Sequence, residues 1–315
     1  MHMINNVPLD FINECLKVSD AGFNMKNLPL GLDKIITRGG GETEMPLFFL
    51  AQGYQDCLFL VIRGATETHD FIRCLNFDPV DFMGGKVHAG AYEAAKWIIE
   101  QSRRYIDQWC GRIIVVGHSL GAATGSTVAA ILRLQERREN VTAIIAASFP
   151  VFSSNIQKLT EPFITSFVYN NDVVPKLSLK NVKALLPMLS SMGGAQSQQS
   201  VEEVIVQTLQ TILMQRGIYV ERSSLLETVS RQIALIKQQQ VTTDLFCPGT
   251  VSHVKLNLQN QTYDIIPFKD GEPIQSIMSV LIGVQDHSLQ LLIAALDKII
   301  NQKQNYGPVD IDNLD

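Results

Sequence analysis

The chain has 315 residues, a formal net charge of −5 and 46% hydrophobic residues. That is enough to bury the core of one large domain, and the acidic balance excludes a basic nucleic-acid-binding surface. The five cysteines are scattered, odd in number and without a C-x-x-C pair, which excludes a disulfide framework or a zinc site built on such pairs and fits free thiols in a reducing compartment.

In chain order, residues 1–44 read as an N-terminal helical arm ending in the turn Gly39-Gly40-Gly41. No basic segment followed by an apolar one opens the chain, so no signal peptide is expected. Two strands, Met45–Leu50 and Leu58–Ile62, follow, joined as a hairpin through Gly53-Tyr54-Gln55-Asp56. Residues 63–90 read as irregular. Ala91–Trp109 has helical spacing, with Ala94, Ala95, Ile98, Ile99 and Tyr105 on one side. Ile113–Val116 is a buried strand and Leu120–Gln135 a helix. Val141–Ser148 and Phe163–Tyr169 are further strands, the first continuously apolar, as where helices cover both faces of a sheet.

From 176 to 240 no strand-like run occurs. Val201, Val204, Ile205, Leu209, Ile212 and Leu213 fall at helical spacing, as do Leu225, Leu226, Val229, Ile233 and Ile236. This stretch reads as a helical insertion, a lid, cap or interface, with Gly193-Gly194 and Gln196–Ser200 as its connector. Strands resume at Val251–Leu258 and Thr262–Pro267, and a helix, Ser288–Ile300, precedes a polar tail. The order β-β-α-β-α-β-α-β argues for one α/β domain over residues 1–315, a mostly parallel sheet flanked by helices, with its site at the carboxyl ends of the strands. No apolar run is long enough to span a membrane.

The most informative stretch is Ile113–Thr124. An apolar strand runs into Gly117-His118-Ser119-Leu120-Gly121 and then into a helix, which is the G-x-S-x-G nucleophile elbow in its strand–turn–helix setting. Glycine is expected at both ends of so tight a turn, and Ser119 is expected in a strained conformation with its hydroxyl projecting. The Leu120 N–H, at the helix start, is a candidate oxyanion donor. A serine of this kind needs a base, usually a histidine, oriented by a carboxylate. The α/β-hydrolase order Ser…Asp/Glu…His leaves His253 and His287 as candidates. His253 lies inside a strand, where a structural role is expected. His287 lies just before the last helix, where catalytic groups are commonly carried. Asp172, straight after a strand and before Val173-Val174-Pro175, suits the acid, with Asp244 and Asp286 as rivals; Asp286 is discounted because neighbouring side chains diverge. The loop after Leu58–Ile62 offers the Ala65 N–H as second oxyanion donor.

Five segments together, Ile62-Arg63-Gly64-Ala65, Val87-His88-Ala89-Gly90, Gly117-His118-Ser119-Leu120-Gly121, Asn171-Asp172-Val173-Val174-Pro175 and Asp286-His287-Ser288, resemble the class 3 lipases, the fungal-type triacylglycerol lipase family that includes diacylglycerol lipases. The resemblance covers about residues 45–175 and 245–300. It implies an α/β-hydrolase fold and a triad of Ser119, Asp172 and His287. It also implies lipase or esterase activity on glycerolipids or other acyl esters, no metal or cofactor, and a lid position for roughly 66–86. A phospholipase A1 or an acyltransferase with the same triad, and a non-catalytic interaction protein on the lipase fold, are the alternatives. The sequence departs from the family pattern at Ala65, where Thr or Ser is usual, and at Ala91, where an aromatic is usual. The disulfides of secreted members have no counterpart, and the insertion is longer than in compact fungal lipases. The expected setting is cytoplasmic, with peripheral membrane contact or a homo-oligomer compatible with the pattern, and no nucleic-acid partner.

Overall fold

The computed structural model describes residues 3–21, 28–32, 34–40, 45–76, 78–192, 200–215, 218–238, 242–270, 272, 274 and 277–305. The connector Gly193-Gly194 with Gln196–Gln199, Gly41 of the N-terminal turn, and the tail from 306 lie outside these residues.

In chain order the elements are β1 (Met3–Ile4), β2 (Val7–Pro8), α1 (Leu9–Ala21), β3 (Lys34–Gly39), β4 (Phe48–Gly53), β5 (Cys57–Ile62), α2 (Thr68–Cys74), β6 (Pro79–Phe82), β7 (Gly85–His88), α3 (Ala89–Gln108), β8 (Ile113–His118), α4 (Leu120–Ala130), β9 (Val141–Ala146), α5 (Ser154–Thr160), β10 (Ile164–Tyr169), α6 (Leu179–Met192), α7 (Val201–Gln215), α8 (Arg222–Lys237), β11 (Thr250–Asn257), β12 (Thr262–Pro267), α9 (Ile277–Asp286) and α10 (Leu289–Asn305).

Eight strands form one sheet in the order β12-β11-β10-β9-β8-β5-β4-β3. The five central strands, from β11 to β5, run parallel, and antiparallel strands close both edges. The strands alternate between two cores. Leu58, Leu60, Ile62, Ile113, Val115, Ala143 and Ile145 face α3 and α4. Phe59, Val61, Ile114, Val116, Ile144 and Ala146 face α1 and α10. This double burial explains why β5, β8 and β9 are continuous apolar runs. The chain is an α/β-hydrolase fold, a mainly parallel sheet flanked by helices.

The structure adds elements to the expected set. The arm 1–44 contains, besides α1, the short hairpin β1–β2 and an edge strand, β3. The stretch 63–90 is not irregular: it holds α2 and the hairpin β6–β7. A short helix, α5, precedes β10, and α9 runs up to the His287 loop. Residues 131–135 continue α4 with a widened π turn. α6, α7 and α8 lie between β10 and β11; α6 packs on α7, α7 on α8, and α8 on α2.

Candidate active site

The parallel register sets the site. Ile62 of β5 is level with Gly117 of β8, and His118 is level with Ala146 of β9. The chain leaving β5 therefore passes directly beside the chain leaving β8. At that point the backbone turns sharply: Ser119 has φ 57° and ψ −122°, a left-handed conformation costly for a residue with a Cβ. Its N–H is anchored on the Ala146 carbonyl at 3.0 Å, and its own carbonyl accepts from Ala123 at 3.0 Å. Both flanking glycines are required by space. A Cβ on Gly117 would lie 2.3 Å from the Gly121 carbonyl oxygen, and one on Gly121 would lie 2.1 Å from the Ile62 carbonyl oxygen.

Asp172 follows β10 by three residues and is fully buried. Its Oδ1 accepts the Val174 N–H at 2.9 Å. His287, in the two-residue break between α9 and α10, is buried too. Its Nδ1 stands 3.0 and 3.1 Å from the two Asp172 carboxylate oxygens, and its Nε2 stands 2.9 Å from Ser119 Oγ. A carboxylate only accepts, so Nδ1 carries the proton and Nε2 is left to accept from the serine hydroxyl. The His118 ring lies against that of His287 with centroids 4.8 Å apart. Residues 53 and 115 positions apart in sequence thus meet in a continuous hydrogen-bonded chain.

The rivals have other places. His253, inside β11, directs Nε2 at the Asn170 carbonyl, and burial pushes its pKa down. Asp244 accepts the Lys180 N–H at 3.4 Å, away from His287. Asp286 accepts from Asn170 Nδ2 and the Asn171 N–H, both at 3.0 Å. It ties the segment carrying His287 to the turn carrying Asp172. Burial, the larger cause, and the nearby Asp172 charge raise its pKa. Sequence reasoning missed this clasp, because its partners are distant in the chain.

Ala65 and Leu120 are the two residues expected from the sequence to supply oxyanion donors. Leu120 opens α4, where the first N–H groups have no intrahelical acceptor. Ala65 borders the cavity beside Ser119. Gly64 brings the loop close, since a Cβ there would lie 3.1 Å from the His118 carbonyl oxygen.

Ser119 and His287 open into an apolar cavity of about 350 Å³. One wall is α2, through Phe71, Cys74 and Leu75. The roof comes from α6, α7 and α8, through residues such as Leu185, Leu209, Leu213, Leu225 and Ile233, and α9 adds Val280 and Val284. Among the described residues lining it, none is Lys, Arg, Asp or Glu. No cluster of metal-binding side chains occurs among the described residues, and no described helix is long and apolar enough to cross a membrane.

The chain is similar to several known lipases. Residues 59–182 match the family described as lipase (class 3). Diacylglycerol lipase-beta from Mus musculus is 21% identical over 157 residues, 45% of this chain and 23% of that protein, so the chain spans about a quarter of the length of this relative. Two fungal lipase structures are also similar. The lipase from Rhizopus microsporus var. chinensis is 18% identical, with 54% of this chain and 67% of that one covered and a TM-score of 0.45. The triacylglyceride lipase from Rhizomucor miehei is 16% identical, with 89% and 91% covered and a TM-score of 0.47. Through the segment that carries the elbow, Ala65 and Asp172, the chain is similar to the class 3 lipase family.

Proposed function

We propose that this protein is a serine carboxylic-ester hydrolase that cleaves acyl esters of neutral glycerolipids. The observation that carries the reading is His287, bonded at once to Ser119 Oγ at 2.9 Å and to the Asp172 carboxylate at 3.0 Å. In this arrangement Ser119 attacks the ester carbonyl while His287 Nε2 takes its proton. Asp172 holds the imidazole in the productive tautomer and stabilises the imidazolium. The N–H groups of Ala65 and Leu120 receive the negative charge on the carbonyl oxygen. His287 then returns the proton to the leaving alcohol, and water activated by the same histidine releases the acid from the acyl-enzyme.

The cavity supports a neutral ester with an apolar acyl chain. A phosphorylated head group inside it would find no cationic side chain among the described lining residues, and burying a charge without a partner is costly. That favours a di- or triacylglycerol-type substrate over a phospholipid. In the same reading α6, α7 and α8 form a cap that encloses the acyl chain. Lipid-surface contact would be apolar, through exposed side chains such as Met214 and Tyr219.

The test is Ser119→Ala, assayed on a short p-nitrophenyl ester and with a fluorophosphonate probe. A loss on the order of 10⁶ in kcat and loss of labelling are expected. Retention of more than about a hundredth of wild-type turnover would point to another nucleophile, and a wild-type protein that neither labels nor turns over would favour a non-catalytic role.

A further inference from the structure

We infer that Asp70 is a positioning residue for the oxyanion hole, its buried carboxylate holding the loop that presents the Ala65 N–H. The inference rests on the reading of Ser119 as nucleophile and Ala65 as donor.

Asp70 lies in the first turn of α2 and has no exposed surface. A buried carboxylate persists in a fold only where it is paired and hydrogen-bonded. The groups that converge on its Oδ2 are all in the loop between β5 and α2. Its Oδ2 accepts the Thr66 N–H at 3.0 Å and the Glu67 N–H at 3.2 Å, and the Arg63 guanidinium lies 3.8 Å from the same oxygen. Three groups, from positions 63, 66 and 67, converge on one atom, and they bracket Gly64 and Ala65 from both sides. His69 Nε2 adds a fourth polar group, 3.5 Å from Oδ1.

The plainer role is that of a helix cap. Asp70 and Glu67 do form a reciprocal capping box at the start of α2. A capping box accounts for the Glu67 N–H alone. It does not require the Thr66 N–H, one residue from the donor, or the approach of Arg63, two residues before it. The identity of residue 65 sharpens the point. Alanine has no hydroxyl to assist the oxyanion, so on this side of the site stabilisation depends on the placement of a backbone amide. Leu120 is fixed by the elbow and by α4. The Ala65 amide is fixed by its loop, and the loop is fixed on Asp70. Preorganised donors contribute because they do not move during the reaction, so a loop free to relax loses transition-state binding while ground-state binding persists.

The experiment measures kcat and KM of the full chain on p-nitrophenyl butyrate for Asp70→Ala and Asp70→Asn, with Ser119→Ala alongside. Removing one oxyanion donor typically costs about 10²–10³ in kcat. Asp70→Ala is expected to approach that loss with KM within about twofold of wild type. Asp70→Asn keeps an oxygen that can accept both amides, and is expected to stay within about tenfold of wild-type kcat. A folded Asp70→Ala with wild-type kcat overturns the inference, as does an Asp70→Asn protein impaired as badly as Asp70→Ala. A purely structural role would lower stability in these variants without separating kcat from KM. If Asp70→Ala does not fold, Asp70→Ser carries the same test: a fall in kcat at unchanged KM supports the inference, and an unchanged kcat overturns it. Turnover that depends on Ser119 but not on Asp70 ends this inference alone, whereas turnover indifferent to Ser119 ends the reading beneath it as well.

Discussion

The elbow at residues 117–121 and the helices α6, α7 and α8 border the same cavity and are packed in opposite ways. In the elbow there is no room for a single Cβ at Gly117 or Gly121, and the Ser119 N–H and carbonyl are both hydrogen-bonded. Across from it, α6, α7 and α8 turn Leu, Ile and Val side chains toward a cavity of about 350 Å³. Reacting atoms must be held to a fraction of an ångström, because misplacement of about 1 Å can cost on the order of a hundredfold in rate. An acyl chain needs only a dry, apolar space of suitable length. On the proposed function close packing serves the chemistry and open packing the acyl chain, so the two should respond differently to substitution.

The largest effect should come from the tight side. Asp172→Asn preserves shape but offers the histidine an amide that can stabilise the wrong tautomer, and a fall on the order of 10⁴ in kcat is expected. Stability should change little by comparison if the amide still accepts the Val174 N–H. Near-normal kcat in a folded Asp172→Asn protein would transfer the acid role elsewhere, and Asp286 would be the first to examine. The Asp286 carboxylate is bound to Asn170 and Asn171.

A smaller, substrate-dependent effect should come from the open side. Leu209 on α7 and Ile233 on α8 both line the cavity. Replacing either with tryptophan fills space without touching the triad. Turnover of p-nitrophenyl butyrate should hold, while that of the palmitate ester should fall by on the order of tenfold or more, since a hydrophobic pocket discriminates by roughly 10–200-fold per misfit methylene. Equal loss on both esters would show that α7 and α8 support the chemistry itself, and the contrast between the two regions would fail.

The same contrast explains what could be read from the sequence. The elbow is local: a buried strand, two glycines and a helix within a dozen residues leave few alternatives. Strands β5, β8 and β9 were legible because burial on both faces makes them continuous apolar runs. The edge strand β3 was not. Lys34-Ile35-Ile36-Thr37-Arg38-Gly39 is only half-buried and leads into a glycine run that reads as a turn. The hairpin β6–β7 was hidden by Pro79 and by Gly84-Gly85, which also read as loop; Met83 and Gly84 form its turn, with Gly84 at φ 77°, and Gly85 opens β7. The helices α2 and α5 have seven residues each, too few to show a 3.6-residue period. α9 is apolar nearly throughout and contains Gly283, whose position is dictated by the Asn171 carbonyl, 2.5 Å from where a Cβ would sit. For α6, α7 and α8, helical spacing announced amphipathic helices but not what their apolar faces meet. The answer depends on α2 and α9, far away in the chain.

The seam between the two regions gives the smallest effect on activity at neutral pH and a distinct effect in acid. His88 ends β7 and caps α3, its Nδ1 accepting the Ala91 N–H at 3.3 Å. Its Nε2 faces the carbonyl of Cys74 at 3.3 Å, at the end of α2, and its ring lies 4.8 Å from that of Phe149. Cys74 and Phe149 both line the cavity, so this imidazole joins the core to the cavity wall. One nitrogen accepts and the other donates, which only the neutral ring can do. Burial, with smaller help from the Arg73 charge, pushes its pKa down from 6.5 to about 4. The unfolded chain therefore takes up this proton before the folded one does. The contribution to stability is complete above about pH 6.5 and is lost as pH falls toward 4. At about 1.4 kcal/mol for each pH unit, the loss is on the order of 3 kcal/mol. His88→Asn keeps a capping oxygen for Ala91 and cannot titrate. Urea unfolding at pH 7 and pH 4.5 should show a smaller acid loss for His88→Asn than for the unsubstituted protein, with turnover at pH 7 little changed. Parallel losses in the two proteins would mean that acid acts elsewhere and that the seam is not pH-sensitive.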